Sequence, residues 1–390
     1  MLDFPSSYTP IKSMRDQGEL LLLKLFNEVM EPGILGFFHQ MRLLPLSVAL
    51  ALCLSACSRM EAQDANDDEN HAGYVPVLSG GAGYVHNVNG GVTSLEPQIN
   101  PVLLVPFGSH VLLESRAEFI GFYQREHQTS GPFTGKVFKN VDYAQVDWLA
   151  NTHVMVSAGK YLLPFGIYNE RLAPVWIRNL LDQPTDSNIG VGTSGAGDGL
   201  MLRGVAVEKP SYTLQYSAYF SARSNINQLQ AARTAGYDAS IFLTHPRLEI
   251  GTSYQRFLQD HQTNSVAAYV SWQPPAVPLD LKAEYDYTYS GNGYWLETAY
   301  NFEKLPIPSF LQRLQAVGRM QQFFPLNGGG NGLPGVNTQR FDFGLNYYFR
   351  DNLRFMSSYG RTFSSQRDAN VWNLGLTYRF VLPLWPERKK

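Results

Sequence analysis

The chain has 390 residues, of which 44% are hydrophobic, 13% aromatic and 16% charged, and its formal net charge is −2. Ordinary soluble domains carry roughly 25% charged residues, yet mean hydropathy is −0.20, so the polarity comes from uncharged Gly, Ser, Thr, Asn, Gln and Tyr. Helical membrane proteins do not have this balance, and a near-neutral chain has no basic field to attract nucleic acid.

In chain order, the first feature is an apolar run from Leu43 to Ala56 that follows Met41-Arg42 and ends in small residues. It is too short to anchor comfortably in a bilayer and has the form of a signal peptide over 41–57. Export signals normally begin a chain. Residues 1–40 therefore read as an upstream extension with Met41 as the start, the alternative being a genuine leader. Both cysteines, Cys53 and Cys57, lie in this segment, so the rest of the chain needs no disulfide framework. Leu54-Ser55-Ala56-Cys57 has the form of a lipobox, which makes Cys57 a candidate lipidation site; the alternative is ordinary cleavage nearby. Residues 58–72, with the acidic stretch from Asp64 to Asn70, read as a solvated linker.

From residue 73 to 380 the period is two. Trp372, Leu374, Leu376, Tyr378 and Phe380 share one face of the last segment, and Val371, Asn373, Gly375, Thr377 and Arg379 share the other. The same alternation recurs near 340–350, 281–289 and 212–220. Side chains of a strand point alternately to opposite faces, so each segment has an apolar and a polar side. A soluble sandwich would alternate too. Three features point instead to a membrane: the segments are long enough for tilted spanning strands, aromatics gather at their ends, and the polar face carries charges that a dry core would leave unpaired.

Candidate strands fall near 74–85, 98–106, 109–125, 136–149, 152–162, 199–208, 211–222, 239–246, 247–257, 263–273, 279–290, 293–304, 312–324, 338–349, 352–363 and 370–380. The expected fold is all-β, a closed transmembrane antiparallel barrel of about sixteen strands, with fourteen or eighteen as alternatives. Closure is required because an open sheet edge does not survive in hydrocarbon. Short turns are expected at 208–211, 245–247, 290–293 and 350–352, and long external loops at 163–198, 223–238 and 325–337. Within the long loops, 173–181 and 225–235 are candidate short helices. Residues 381–390 read as a periplasmic tail.

The segment from Gly159 to Asn179, containing Leu163-Pro164-Phe165-Gly166, Asn169-Glu170-Arg171-Leu172 and Trp176-Ile177, resembles a characteristic stretch of the phosphate-selective porin O/P-like family. Asp142–Asn151 and Pro97–Pro101 fit the same pattern. The resemblance is specific over about 95–205 and weaker beyond, where barrel periodicity carries the reading. Leu374 to Phe380 resembles the aromatic-terminated strand that barrel-assembly machinery recognises, although here Val381 to Lys390 follow it. The resemblance implies an outer-membrane porin of a Gram-negative cell, surrounded by outer-membrane lipids, commonly a homotrimer, passing small polar solutes or ions and in some members anions. Anion selection needs a ladder of Lys and Arg facing the lumen. The candidates for pore lining or constriction are Arg116, Lys160, Glu170, Arg171, Arg178, Arg203, Arg340 and Arg350, with Arg354 beside them. Glu114, Glu118, Glu284, Asp286 and Glu297 share the polar face and dilute such a ladder.

No chemistry beyond this is expected. The glycine-rich run Gly192 to Gly199 lacks the Lys-Ser/Thr of a phosphate loop and precedes a strand, so it reads as loop. The eight histidines show no metal-ligand spacing. Some barrels are hydrolases, but no nucleophile signature is visible, and the chain is read as a non-enzyme without cofactor. Glu170 and Arg171 are expected to pair and fold the long loop over the pore, and Trp176 to dock on the barrel wall. A barrel scaffold or partner-binding protein without an open channel is the alternative function.

Overall fold

The computed structural model describes residues 75–127, 131–186, 195–224, 232–259, 262–326 and 333–384. The export segment, Cys57 and the linker lie outside the described residues. The described chain is a closed barrel of sixteen antiparallel strands, each paired with its neighbours in sequence, with the first pairing the last. The strands are β1 (Val77–Asn89), β2 (Val92–Phe107), β3 (Val111–Glu126), β4 (Thr134–Asn151), β5 (Val154–Leu162), β6 (Ala196–Lys209), β7 (Tyr212–Ser224) and β8 (Ala232–Leu243). The second half comprises β9 (Leu248–Phe257), β10 (Asn264–Trp272), β11 (Leu279–Tyr287), β12 (Gly291–Asn301), β13 (Leu314–Pro325), β14 (Thr338–Arg350), β15 (Leu353–Ser364) and β16 (Ala369–Pro383). No described helix is long and apolar enough to cross a membrane, which says nothing of strands.

The outward face is apolar all the way round. Phe119, Val141, Leu200, Tyr237, Ile250, Leu296, Phe343 and Leu374 are each more than a third exposed on it. In β16, Trp372, Leu374 and Leu376 are exposed, whereas Val371, Asn373 and Thr377 are buried, so the alternating residues divide between outside and lumen as the period of two requires. The inward face is polar. It includes Asn100, Arg116, Asp142, Gln255, Gln321, Arg340 and Asn373, all buried.

The structure departs from the sequence reading at several ends. β8 begins at Ala232, so the 225–235 segment is strand over its last four residues; residues 225–231 lie outside the described set. Ala196 to Gly199, read as loop, are already β6. β16 continues to Pro383, and Val381, Leu382 and Pro383 pair with Ser79, Leu78 and Val77, so the tail starts later than residue 381. The turn at Ser290 lies at the long-loop end of the barrel. At the opposite end, residues 302–313 form a longer connection holding a turn of 3₁₀ helix (Phe302–Lys304) and a short helix (Ser309–Gln312).

Candidate functional site

The lumen is organised by the connection after β5. Pro164 cannot donate to a ladder, and Gly166 has φ +65°, a conformation that favours glycine. Tyr161, Leu163 and Phe165 pack with Met201, Tyr219, Phe257 and Ala267, an apolar cluster inside the barrel that turns the chain inward rather than outward. Ser253 accepts from Gly166 N (3.0 Å), and the Glu284 carboxylate accepts from the backbone N–H groups of Ile167 (2.7 Å) and Tyr168 (3.2 Å). A Cβ at position 166 would lie 2.1 Å from Glu284 Oε1, so this close approach also needs glycine. Asn169 then ties the two ends of the loop, donating to Leu163 O (2.8 Å) and Gly195 O (2.7 Å). Tyr168–Leu172 form a five-residue π-type turn, upstream of the helix expected at 173–181.

The second half of the loop crosses to the far wall. Val175, Leu181 and Trp176 pack on Val85 and Met356, and Leu180 packs on Ala299 and Val317. Glycines on the inward face make room for them. A Cβ at Gly81 would lie 2.3 Å from Trp176 Cδ2, one at Gly344 2.6 Å from Leu180 Cδ2, and one at Gly375 2.8 Å from Leu181. Barrel side chains satisfy the loop backbone. Asn346 donates to Asn179 O (2.8 Å), Arg354 to Arg178 O (2.7 Å), Arg319 to Asp182 O (3.0 Å), and Gln321 accepts from Thr185 N (2.7 Å). Asp182 binds Arg340 and accepts from Asn373 (2.8 Å). Burial alone would raise its carboxyl pKa, but the Arg340 and Arg319 charges and its hydrogen bonds hold it below the ordinary value.

The predicted residues therefore separate. Arg116, Arg203, Arg340 and Arg354 face inward. Arg116 pairs with Asp142 at 2.7 Å, Arg203 pairs with Glu170, and Arg340 is shared between Asp182 and Asp342. Glu170 and Arg171 do not pair with each other as expected: each reaches a different wall, with Arg171 on Glu249 of β9 at 2.8 Å and over the Tyr269 ring. Arg178 donates to the carbonyls of Ala173 (2.9 Å) and Leu181 (2.8 Å). Two candidates leave the lumen. Lys160 shares the outward face with Ala144 and Asp198, its register partners, because Ser157 and Tyr161 take the inward positions at 0% exposed. Arg350 is exposed beside the Asp351–Asn352 turn.

Residues that sequence reasoning missed include Asp182, Arg319, Asp342 and Glu249. Arg319 and Asp342 are opposite each other on β13 and β14 and face inward; their partner in the loop, Asp182, carries no periodic signal. Among the described residues no group of His, Cys, Asp and Glu is arranged to hold a metal ion. The described part of the loop makes its hydrogen bonds and close contacts with β1, β6, β7 and β9 to β16. The inward face of β2 to β4 carries Glu96, Glu114, Glu118, Asp142 and Asp147, against the guanidinium of Arg116. What the arrangement provides is a narrowed, charged interior inside an apolar shell.

No protein-family model matches the chain, and no curated protein matches it. Solved structures do. The chain is similar to OmpF of Salmonella typhi in complex with daunomycin, at 14% identity and TM-score 0.54, covering 79% of this chain and 98% of that one. It is also similar to OprB of Pseudomonas putida in a low-pH structure, at 9% identity and TM-score 0.53, covering 79% of this chain and 93% of that one. At these identities the likeness is one of fold, that of a closed sixteen-stranded antiparallel barrel.

Proposed function

We propose that this chain is an outer-membrane porin, a passive channel for small polar solutes or ions in a Gram-negative cell. The observation that carries the proposal is a polar, charged interior enclosed by a continuous apolar outer face, with half-buried carboxylates on the side that the described part of the loop leaves uncovered. An apolar band suits hydrocarbon, and a charged interior is stable where water reaches it. In this reading transport follows from shape and field alone. Secretion through the 41–57 signal, lipidation of Cys57 and homotrimeric assembly belong to the same proposal and rest on the sequence pattern and on the resemblance to the O/P-like family.

The resemblance also brings anion preference with it. The arginines that would supply it are committed elsewhere: Arg340 and Arg319 to carboxylates, and Arg354 to loop carbonyls. A second reading, a barrel scaffold without an open passage, draws on the 0% exposure of inward Ser253, Gln255, Ser265 and Gln321. Purified protein in a planar bilayer decides between them. Stepwise conductance increments are expected from the channel, and a silent bilayer with correctly folded protein overturns it.

A further inference from the structure

The charges of the lumen are distributed unevenly around its wall. On β2 to β4, Glu96, Glu118, Glu114 and Asp147 follow one another from the long-loop end toward the short-turn end, as the strand register sets their depth. None of the four forms an ion pair among the described residues. Glu96 accepts from Ser94 Oγ (2.7 Å), Glu118 from Asn100 Nδ2 (3.0 Å), Glu114 from the Tyr143 hydroxyl (2.7 Å) and Asp147 from Gln145 Nε2 (3.0 Å). These neutral donors orient the carboxylates. Of the cations on this wall, Arg116 is spent on Asp142, and Lys136, at the loop end of β4, lies over the Phe138 ring.

The rest of the wall carries both signs. Arg171 is balanced by Glu249 and Arg203 by Glu170, the carboxylates of Glu284 and Asp286 are buried, and Arg178 donates to carbonyl oxygens of the loop itself. Depth matters as well. Asn100, which holds Glu118, pairs in register with Gly81, and Gly81 is the glycine on which Trp176 of the loop rests. Glu118 therefore lies at the level where the loop crosses the barrel. Glu96, Glu114 and Glu118 stay half-buried there, while inward polar residues under the loop on β9, β10 and β13 are fully covered.

We infer that the passage runs along the β2 to β4 wall and prefers cations, with Glu96, Glu114 and Glu118 as the specificity-determining residues. The inference rests on the channel reading and gives it a solute class: inorganic cations and small organic molecules carrying an ammonium or guanidinium group. A narrow passage beside low-dielectric walls concentrates the field of such carboxylates on an ion.

The test is the reversal potential of the full-length exported protein in a potassium chloride gradient, for the wild type and for Glu114→Gln with Glu118→Gln. Glutamine keeps an acceptor for Tyr143 and for Asn100. The wild type is expected to favour potassium. The double variant should lose selectivity by about twofold for each charge removed, the size Coulomb's law gives for a unit charge about 8 Å from an ion in water. Retained heat-modifiable migration shows that the variant is folded. If the variant fails to fold, the wild type still decides, since a chloride preference overturns the inference, as does an unchanged reversal potential in a folded variant. An absence of conductance in the folded wild type overturns the channel reading instead.

Discussion

The carboxylate of Asp182, in the loop inside the barrel, is bound to the guanidinium of Arg340 on β14. Arg340 holds Asp342 of its own strand at 2.6 Å, and Asn373 of β16 donates to the same Asp182 at 2.8 Å. One loop side chain thus ties two strands that are not adjacent, and it does so where water is scarce and charge-assisted hydrogen bonds are strongest.

Asp182→Asn should weaken this anchor without emptying its space. Arg340 keeps Asp342, so the cost is that of charge-assisted hydrogen bonds, about 1–3 kcal/mol, and not that of a stranded charge. Urea unfolding followed by tryptophan fluorescence checks it, because Trp176 rides on the same loop. Stability equal to wild type would mean that the apolar contacts of the loop carry the anchoring alone.

The anchor should also resist acid. The folded pKa of Asp182 is depressed by Arg340 and Arg319 against the opposing effect of burial. A depressed carboxyl stabilises the fold above its unfolded pKa, about 3.9, and that stability is lost as pH falls through the lower, folded value. Loop anchoring should therefore persist at pH 5 and weaken only below the ordinary carboxylate range. Protease sensitivity of the loop measured down the pH scale tests this, with Asp182→Asn expected to remove the acid limb.

Gly81 and Trp176 should behave as a pair. A Cβ at Gly81 meets the indole at 2.3 Å, so Gly81→Ala forces the ring or the strand to move, at about 1–3 kcal/mol. Trp176→Leu vacates that volume at its own cost. The double variant should be less destabilised than the two losses added together, a coupling that a double-mutant cycle measures. Simple additivity would separate the two residues.

On the outer face, Leu376 is 41% exposed. Leu376→Phe should fold normally, and Leu376→Arg should cost about 2–4 kcal/mol near the bilayer midplane. Folding yield into lipid vesicles reads the difference. The neighbouring Thr377 points inward but is 3% exposed, so an arginine there is not the harmless control that its orientation alone suggests.

Most of the barrel was legible because each strand repeats a simple period. The sixteen segments read from alternation correspond to sixteen strands, and the apolar residues of β16 point out as their spacing requires. Lys160 was also readable by parity, since Val156 and Ala158 precede it on the outward face; a cation placed there breaks the usual match of charge to lumen. β4 was harder. Its register with β3 shifts between Arg116 and Ala117, and such a bulge moves later residues to the other face. The docking of Trp176 followed from the cost of leaving an indole in water. Its receiving surface, Gly81 on a strand far away in sequence, carried no local sign, and neither did Asp182, whose partners are contributed by three distant strands.

The seam between β1 and β16 joins the earliest described strand to the latest, with Val77 opposite Pro383 and Asn89 opposite Val371. No nascent fragment contains both edges. Until the final hairpin arrives, β1 offers a row of unpaired amides and carbonyls, which is a template for pairing with the wrong chain. Closing this seam demands the longest loop in the molecule, the most expensive contact in chain entropy. The ring is thus a lock whose last tooth is cut from the C-terminal end: removing β16 should not yield a slightly smaller barrel but a sheet with two adhesive borders, soluble only while something holds them apart.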